Sequence, residues 1–305
     1  MPWQFCQLVC ADVTVSDLTL HIHNEIVIAG DSSNTSAQQP TWLSNNQLLF
    51  IYDKQGWNQL WIHEAGRQSR PVLSSLIKED FAEPLWRLGE TTYAVLDNTR
   101  VICNTVRDGV SSLSLVNLNS GTREIIKSRY LNITALKTIN SNSVAFNGTT
   151  DDAGTTVIKM TIGSTATSAT FTIIVPANDH QYPRAFIPKS QKVTLQDSKG
   201  RPIFAELFPP TNPEYNGLPG EKPPCVINVH SGPTYRAKAG FISERLIYTS
   251  RGWAWYYSVF LVIYRTHNWD RLEINYGGSA GFGREFMFVG YYVRTGNTYI
   301  LLGID

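Results

Sequence analysis

Residues 40–61 read PTWLSNNQLLFIYDKQGWNQLW, and this stretch decides the fold of the first half of the chain. Gln47 to Tyr52 is a short apolar run, Asp53 to Gly56 carries a turn signal, and a second apolar run follows at Leu60-Trp61. Strand, turn, strand with no helical period is β grammar. Similar runs recur at Ser112-Leu113-Ser114-Leu115-Val116 and Thr156-Val157-Ile158-Lys159-Met160, beside turn signals at Asp108-Gly109 and Asp152-Ala153-Gly154. No amphipathic helix of convincing length precedes residue 180. Pro40-Thr41-Trp42 recurs as Pro84-Leu85-Trp86, 44 residues later. A period of ~40–45 residues in an all-β segment marks propeller blades, and residues 1–180 then hold about four, the first incomplete. A β-sandwich with coincidental spacing is the alternative.

The second half changes grammar. Eleven of the 15 prolines fall between Pro176 and Pro233. Residues 1–180 carry a net charge of −4 and residues 181–305 a net charge of +5. Both shifts place a domain boundary near 180. Beyond it, Lys192 to Gln196 and Ile203 to Phe208 flank the hairpin turn Asp197-Ser198-Lys199-Gly200. Cys225-Val226-Ile227-Asn228-Val229 reads as a buried strand, and Phe241 to Ser250 as a helix ending before Arg251-Gly252. Strand, turn, helix, strand is α/β grammar.

Composition bounds the function. The chain has 305 residues, of which 42% are hydrophobic, with eight Trp, 14 Tyr and 13 Phe, so it can bury cores and is not disordered. A net charge of +1 offers no basic excess for nucleic-acid phosphates. The longest strongly apolar run, Trp253 to Tyr264, is too short for a bilayer span of ~20 residues. The N-terminus lacks a basic stretch followed by a clean apolar one, so no signal peptide is read and a cytoplasmic location is expected. Cys6, Cys10, Cys103 and Cys225 form no Cys-x-x-Cys pair and read as free thiols. His21 and His23 share a strand face but have no third ligand near them in sequence, so neither a metal nor a cofactor is expected.

Three motifs carry a resemblance to a known family. Val229-His230-Ser231-Gly232-Pro233, Thr249-Ser250-Arg251-Gly252-Trp253-Ala254 and Asn275-Tyr276-Gly277-Gly278-Ser279-Ala280-Gly281-Phe282-Gly283-Arg284 occur in that order. They resemble the His-Gly-Gly-Pro turn, the helix end and the Asn-Tyr-Gly-Gly-Ser signature of prolyl-oligopeptidase-type serine peptidases, in the acylaminoacyl- and dipeptidyl-peptidase branch. The resemblance extends upstream to about residue 36. It implies a partial β-propeller (1–180) followed by the N-terminal part of an α/β-hydrolase domain (181–305). It also implies a serine exopeptidase activity on short peptides by a Ser-Asp-His triad. A non-catalytic propeller acting as a binding module is the alternative.

The family's nucleophile elbow, acid and base lie downstream of the signature, so this chain is expected to lack all three and to be inactive alone. Gly277-Gly278-Ser279-Ala280-Gly281 matches Gly-x-Ser-x-Gly as a string, but no His follows Ser279 and the only later acids are Glu285 and Asp305. A triad of this fold runs Ser, acid, His in chain order, so Ser279 reads as a loop serine. His230 precedes Ser279, against that order. The resemblance places Gly232 beside the oxyanion hole, where its backbone N–H faces the developing charge; a plain turn role is the alternative. Ser231 departs from the family's usual Gly. Residues 256–271 split the strand expected to run from Trp253-Ala254-Trp255 into Leu272-Glu273-Ile274-Asn275, and residues 287–305 have no family counterpart. Both read as sequence foreign to the domain, of the kind a retained intron leaves.

Overall fold

The computed structural model describes residues 5–31, 35–84, 89–178, 182–196, 200, 202–219, 223–224, 227–230, 234–252, 271–275 and 278–288. A long hairpin comes first, β1 (Leu8–Ser16) with β2 (Thr19–Ala29). Three four-stranded antiparallel meanders follow, each with its strands in chain order. The first is β3 (Ala37–Trp42), β4 (Leu48–Tyr52), β5 (Gln59–His63) and β6 (Arg70–Pro71). The second is β7 (Tyr93–Val95), β8 (Arg100–Arg107), β9 (Val110–Asn117) and β10 (Arg123–Ile126). The third is β11 (Asn132–Asn140), β12 (Ser143–Thr149), β13 (Thr156–Thr161) and β14 (Thr170–Val175).

The meanders stack face to face, and the stacking explains the unbroken apolar run at 48–51. Successive side chains of a strand point to opposite faces. Leu48 and Phe50 pack toward the hairpin with Leu8, Ala29, Ala37 and Trp61. Leu49 and Ile51 pack toward the second meander with Tyr93, Val101, Cys103 and Val116. The second meander repeats the arrangement, sending Ile102, Leu113 and Leu115 into a core with Val144, Phe146, Ile158 and Met160 of the third. A sheet covered on both faces needs apolar residues at successive positions. This is the packing of propeller blades, present as three complete units and a two-stranded hairpin among the described residues.

Two sequence details resolve differently. Asp108 and Gly109 turn β8 into β9 with φ of 50° and 79°, the paired positive values that a two-residue hairpin matching the sheet twist requires. The repeated tripeptide does not mark equivalent positions: Pro40-Thr41-Trp42 lies within β3, whereas Pro84 precedes β7 and Leu85 and Trp86 lie outside the described residues. The connection between β6 and β7 is long, and it carries Glu79, Asp80 and Glu83.

The remaining sheet has the order β15 (Gln191–Gln196), β16 (Pro202–Phe208), β18 (Arg271–Asn275), β17 (Ile227–Val229). β15, β16 and β18 pair antiparallel, while β17 and β18 are parallel, with Val229 opposite Ile274. The helix α1 (Ser243–Thr249) lies between those two parallel strands in sequence. Its Arg245 is buried with the guanidinium 3.5 Å from the Phe208 ring centroid. Gly252, at φ 71°, follows the helix in the left-handed conformation that such ends favour. Residues 253–270 and 289–305, which hold most of both segments read as foreign, lie outside the described residues.

Candidate functional site

Because β17 and β18 run parallel side by side, the segments that leave their C-terminal ends emerge together. In open α/β sheets that edge is where ligands bind. One segment begins with His230 and the other contains Ser279, and the two side chains share a hydrogen bond of 2.7 Å between Nε2 and Oγ. The backbone joins the segments again where Ala280 N–H donates to Tyr235 O at 3.1 Å. Gly278 N–H donates to Phe286 O at 2.8 Å, closing the signature loop on itself. Phe282 and Phe286 fix that loop to the sheet through Phe204, whose ring stacks on Phe282 at 4.7 Å.

A serine hydroxyl on an imidazole nitrogen is also how a nucleophile meets its base. Here Ser279 has no exposed surface. An attacking oxygen needs room for a carbonyl carbon about 3 Å away, and Ser279 lacks it. The bond therefore orients the His230 ring. Gly232, the expected oxyanion donor, lies outside the described residues, as do Ser231 and Pro233.

Each segment is held on the meander sheets by an arginine, Arg236 buried and Arg284 part-buried. Arg236 is ion-paired with Glu83 and donates to Gly109 O at 2.7 Å and to Asn132 Oδ1 at 3.2 Å. Those acceptors come from the β6–β7 connection, the β8–β9 turn and the start of β11. The Arg284 side chain is ion-paired with Asp53 and lies 4.2 Å from the Phe288 ring centroid, while its backbone N–H donates to Gly56 O at 2.8 Å. Beside it Gly283 N–H donates to Asp80 Oδ2 at 3.1 Å. Two glycines allow this approach: a Cβ on Gly281 would sit 2.8 Å from Val106 Cγ1, and one on Gly283 would sit 3.0 Å from the Trp57 ring.

The seam is rich in buried acid. Burial pushes the Asp80 carboxyl up to about 6, against the pull of the Asn58 and Gly283 donors. Burial also raises Asp53, outweighing the Ser36 N–H and the Arg284 charge. Between them is a cavity of about 20 Å³ lined by Gln38, Asp53, Asn58, Asp80, Arg284 and Met287. Gln38 Oε1 is buried and has no hydrogen-bond partner among the described residues. The cavity has room for one water molecule.

Elsewhere, His21 and His23 stack at 6.3 Å on the exposed hairpin, and His23 Nε2 meets Thr14 Oγ1 at 3.0 Å. Among the described residues no group of three or more His, Cys, Asp or Glu could hold a metal ion. No helix among them is long and apolar enough to cross a membrane. Cys6, Cys10 and Cys103 are free thiols, and burial pushes that of Cys103 up to about 12. Sequence reasoning missed Arg236, Glu83 and Asp80. A lone arginine three residues after Gly232-Pro233 carries no local pattern, and its partners lie 104 to 153 residues away.

No family model and no curated protein matches the chain by sequence. Solved structures do match it. A Mycobacterium tuberculosis puromycin-hydrolysing peptidase superposes with a TM-score of 0.76 at 26% identity, over 90% of this chain and 38% of that one. A mutant puromycin hydrolase complexed with PGG gives 0.78 at 24% identity, over 94% and 39%. A dipeptidyl peptidase 4 of Porphyromonas gingivalis shares the fold at 0.60 and 13% identity, over 88% and 36%. The chain thus spans under two fifths of the structures it matches. In fold, the chain is similar to these puromycin-hydrolysing peptidases and to this dipeptidyl peptidase.

Proposed function

We propose that this chain is the propeller and the opening part of the α/β-hydrolase domain of a serine exopeptidase acting on short peptides. Residues 1–180 supply the propeller and residues 181–305 the opening of the hydrolase domain. The observation that carries the reading is the match over 90% of the chain to a puromycin-hydrolysing peptidase. The parallel pair β17–β18 supports it, since His230 and Ser279 stand at the strand edge where such folds build their sites. Gly232 offers its N–H to the oxyanion of the tetrahedral intermediate. Nucleophile, acid and base belong to the remainder of the peptidase architecture, of which this chain spans 38%. By itself the chain turns over no peptide, since an oxyanion hole acts only on an attacked carbonyl.

The test uses acyl-peptide and dipeptidyl chromogenic substrates. The purified chain should be silent. A chain joining Trp255 to Leu272 and extended by a Gly-x-Ser-x-Gly elbow, an Asp and a His from the same gene should turn over. Turnover by the 305-residue chain that disappears in Ser279→Ala would overturn the reading.

A further inference from the structure

The bond between His230 and Ser279 joins two segments, and each is anchored to the meander sheets a few residues further on. Arg236 follows His230 by six positions and Arg284 follows Ser279 by five. Neither arginine is bound mainly by its own sheet unit. Arg236, with its side chain 2% exposed, reaches Glu83, Gly109 O and Asn132. Arg284 reaches Asp53, whose side chain is 2% exposed. The anchors differ in form. Arg236 spreads its planar fork over three acceptors on separate connections, which an ammonium cannot reproduce. Arg284 sets its charge against the Asp53 carboxylate, beside the Phe288 ring.

We infer that Arg236 and Arg284 are positioning residues that make seating on the meander sheets the condition for holding His230 on Ser279. With both anchors in place the two segments have one relative position, and the imidazole is fixed by the serine. With either anchor lost, its segment loses its side-chain hold on the meanders, and the Ala280–Tyr235 backbone bond and the His230–Ser279 bond remain between the two segments among the described residues. The ring is then held less firmly against local opening. The propeller then acts on the site edge by fixing its geometry, in addition to any role in admitting substrate. This coupling does not depend on the peptidase reading.

The experiment follows His230 in the intact chain. Diethyl pyrocarbonate modifies imidazole nitrogens, and mass spectrometry reports the rate for the His230 peptide against that of His63, which sits in β5. Arg236→Met and Arg284→Met should each raise the His230 rate about ten-fold or more, as one decade in the opening equilibrium requires. Arg123→Met, which breaks a part-buried pair between β10 and Glu79 of the β6–β7 connection without touching either anchor, should leave it within about two-fold of the parent. Arg284→Lys should restore a slow rate because it keeps the charge facing Asp53. Arg236→Lys should not. Unchanged His230 rates in folded Arg236→Met and Arg284→Met would overturn the inference, and so would a rise in only one of them. If a methionine variant fails to fold by circular dichroism, Glu83→Gln and Asp53→Asn remove the partner charges at constant size and are read the same way.

Discussion

The meanders and the C-terminal sheet are both four-stranded, yet they are stabilised by different means. In the meanders each strand pairs with its neighbour in sequence, and the first two sheets are covered on both faces by buried Leu, Ile, Val and Phe, the third on the face toward the second. In the C-terminal sheet β18 inserts between β16 and β17, strands far from it in sequence, and among the described residues the buried apolar cluster is Ile203 and Ala205, with Val193 and Leu195 packed against it. One region is held by its own core. The other leans on that core through arginines, carboxylates and glycines. The difference shows where a substitution acts globally and where it acts only at the seam.

The strongest way to break the comparison is a core truncation in each region. Phe146 is 1% exposed, and its ring makes edge contacts with Tyr130 and Phe171. Phe146→Ala should cost about 3–5 kcal/mol, the usual range for a buried aromatic. Ile203→Ala should cost no more than about 2 kcal/mol, the low end for such truncations, because Ile203 is 9% exposed and its cluster among the described residues is small. Urea unfolding of the two variants checks this. Equal losses would mean that the C-terminal sheet carries a core as tight as that of the meanders.

The same contrast explains how far the sequence could be read. The meanders were legible because their contacts are local: the run at 48–51, the Asp108-Gly109 turn and the strand at 156–160 each declare themselves within ten residues. Ser279 was legible as a loop serine from the chain order of His and acid. Its hydrogen bond to His230 was not, since it depends on β17 and β18 being parallel neighbours across 49 residues. The tripeptide repeat led to the propeller but not to equivalent places in its blades, because a Pro-x-Trp string carries no information about strand position. The long β6–β7 connection, which supplies Asp80 and Glu83 to the seam, hid behind the apparent period.

The seam should respond to pH in a way the cores do not. The Asp80 carboxyl is raised from 3.8 to about 6, so the folded chain binds a proton there at pH values where the unfolded chain does not. The stabilisation from that proton is complete below about pH 4 and is lost as pH rises through about 6. A shift of about two pKa units corresponds to roughly 3 kcal/mol. Asp80→Asn removes the titration, so parent minus variant stability should fall by about that amount between pH 4 and pH 7 and stay flat above it. A difference that rises with pH would show that Asp80 is held charged by its donors.

Tyr93 tests the contact between neighbouring meanders at a smaller scale. From β7 its buried hydroxyl donates to Gln39 O and lies 3.0 Å from Thr41 Oγ1 and 3.2 Å from Leu49 O. Tyr93→Phe keeps the ring in the shared core and leaves those acceptors short of one donor. The expected cost is about 1–2 kcal/mol, the penalty for buried groups left unsatisfied. The measurement is the urea midpoint at constant m-value. A change in m would instead indicate that the two meanders had separated.

The smallest effect on stability is expected at the β1–β2 hairpin, which lies outside both regions of the comparison. Ser16 and Thr19 close it around Asp17 and Leu18, both at positive φ, and Leu18 is fully exposed. Val13 faces Ile22 and Val15 faces Leu20 across the strands, and all four are more than half exposed. Because these side chains lose little water on folding, replacing Val15 by Lys removes almost no buried area and should change stability by less than about 0.5 kcal/mol. The same stripe is apolar, β-branched at several positions and carried on a two-stranded ribbon with free edges, so it favours pairing between chains. Val15→Lys should therefore leave the urea midpoint in place while lowering the concentration-dependent association seen by light scattering. A loss of stability comparable to that of Tyr93→Phe would mean that the hairpin is covered in solution and belongs with the self-cored part of the molecule.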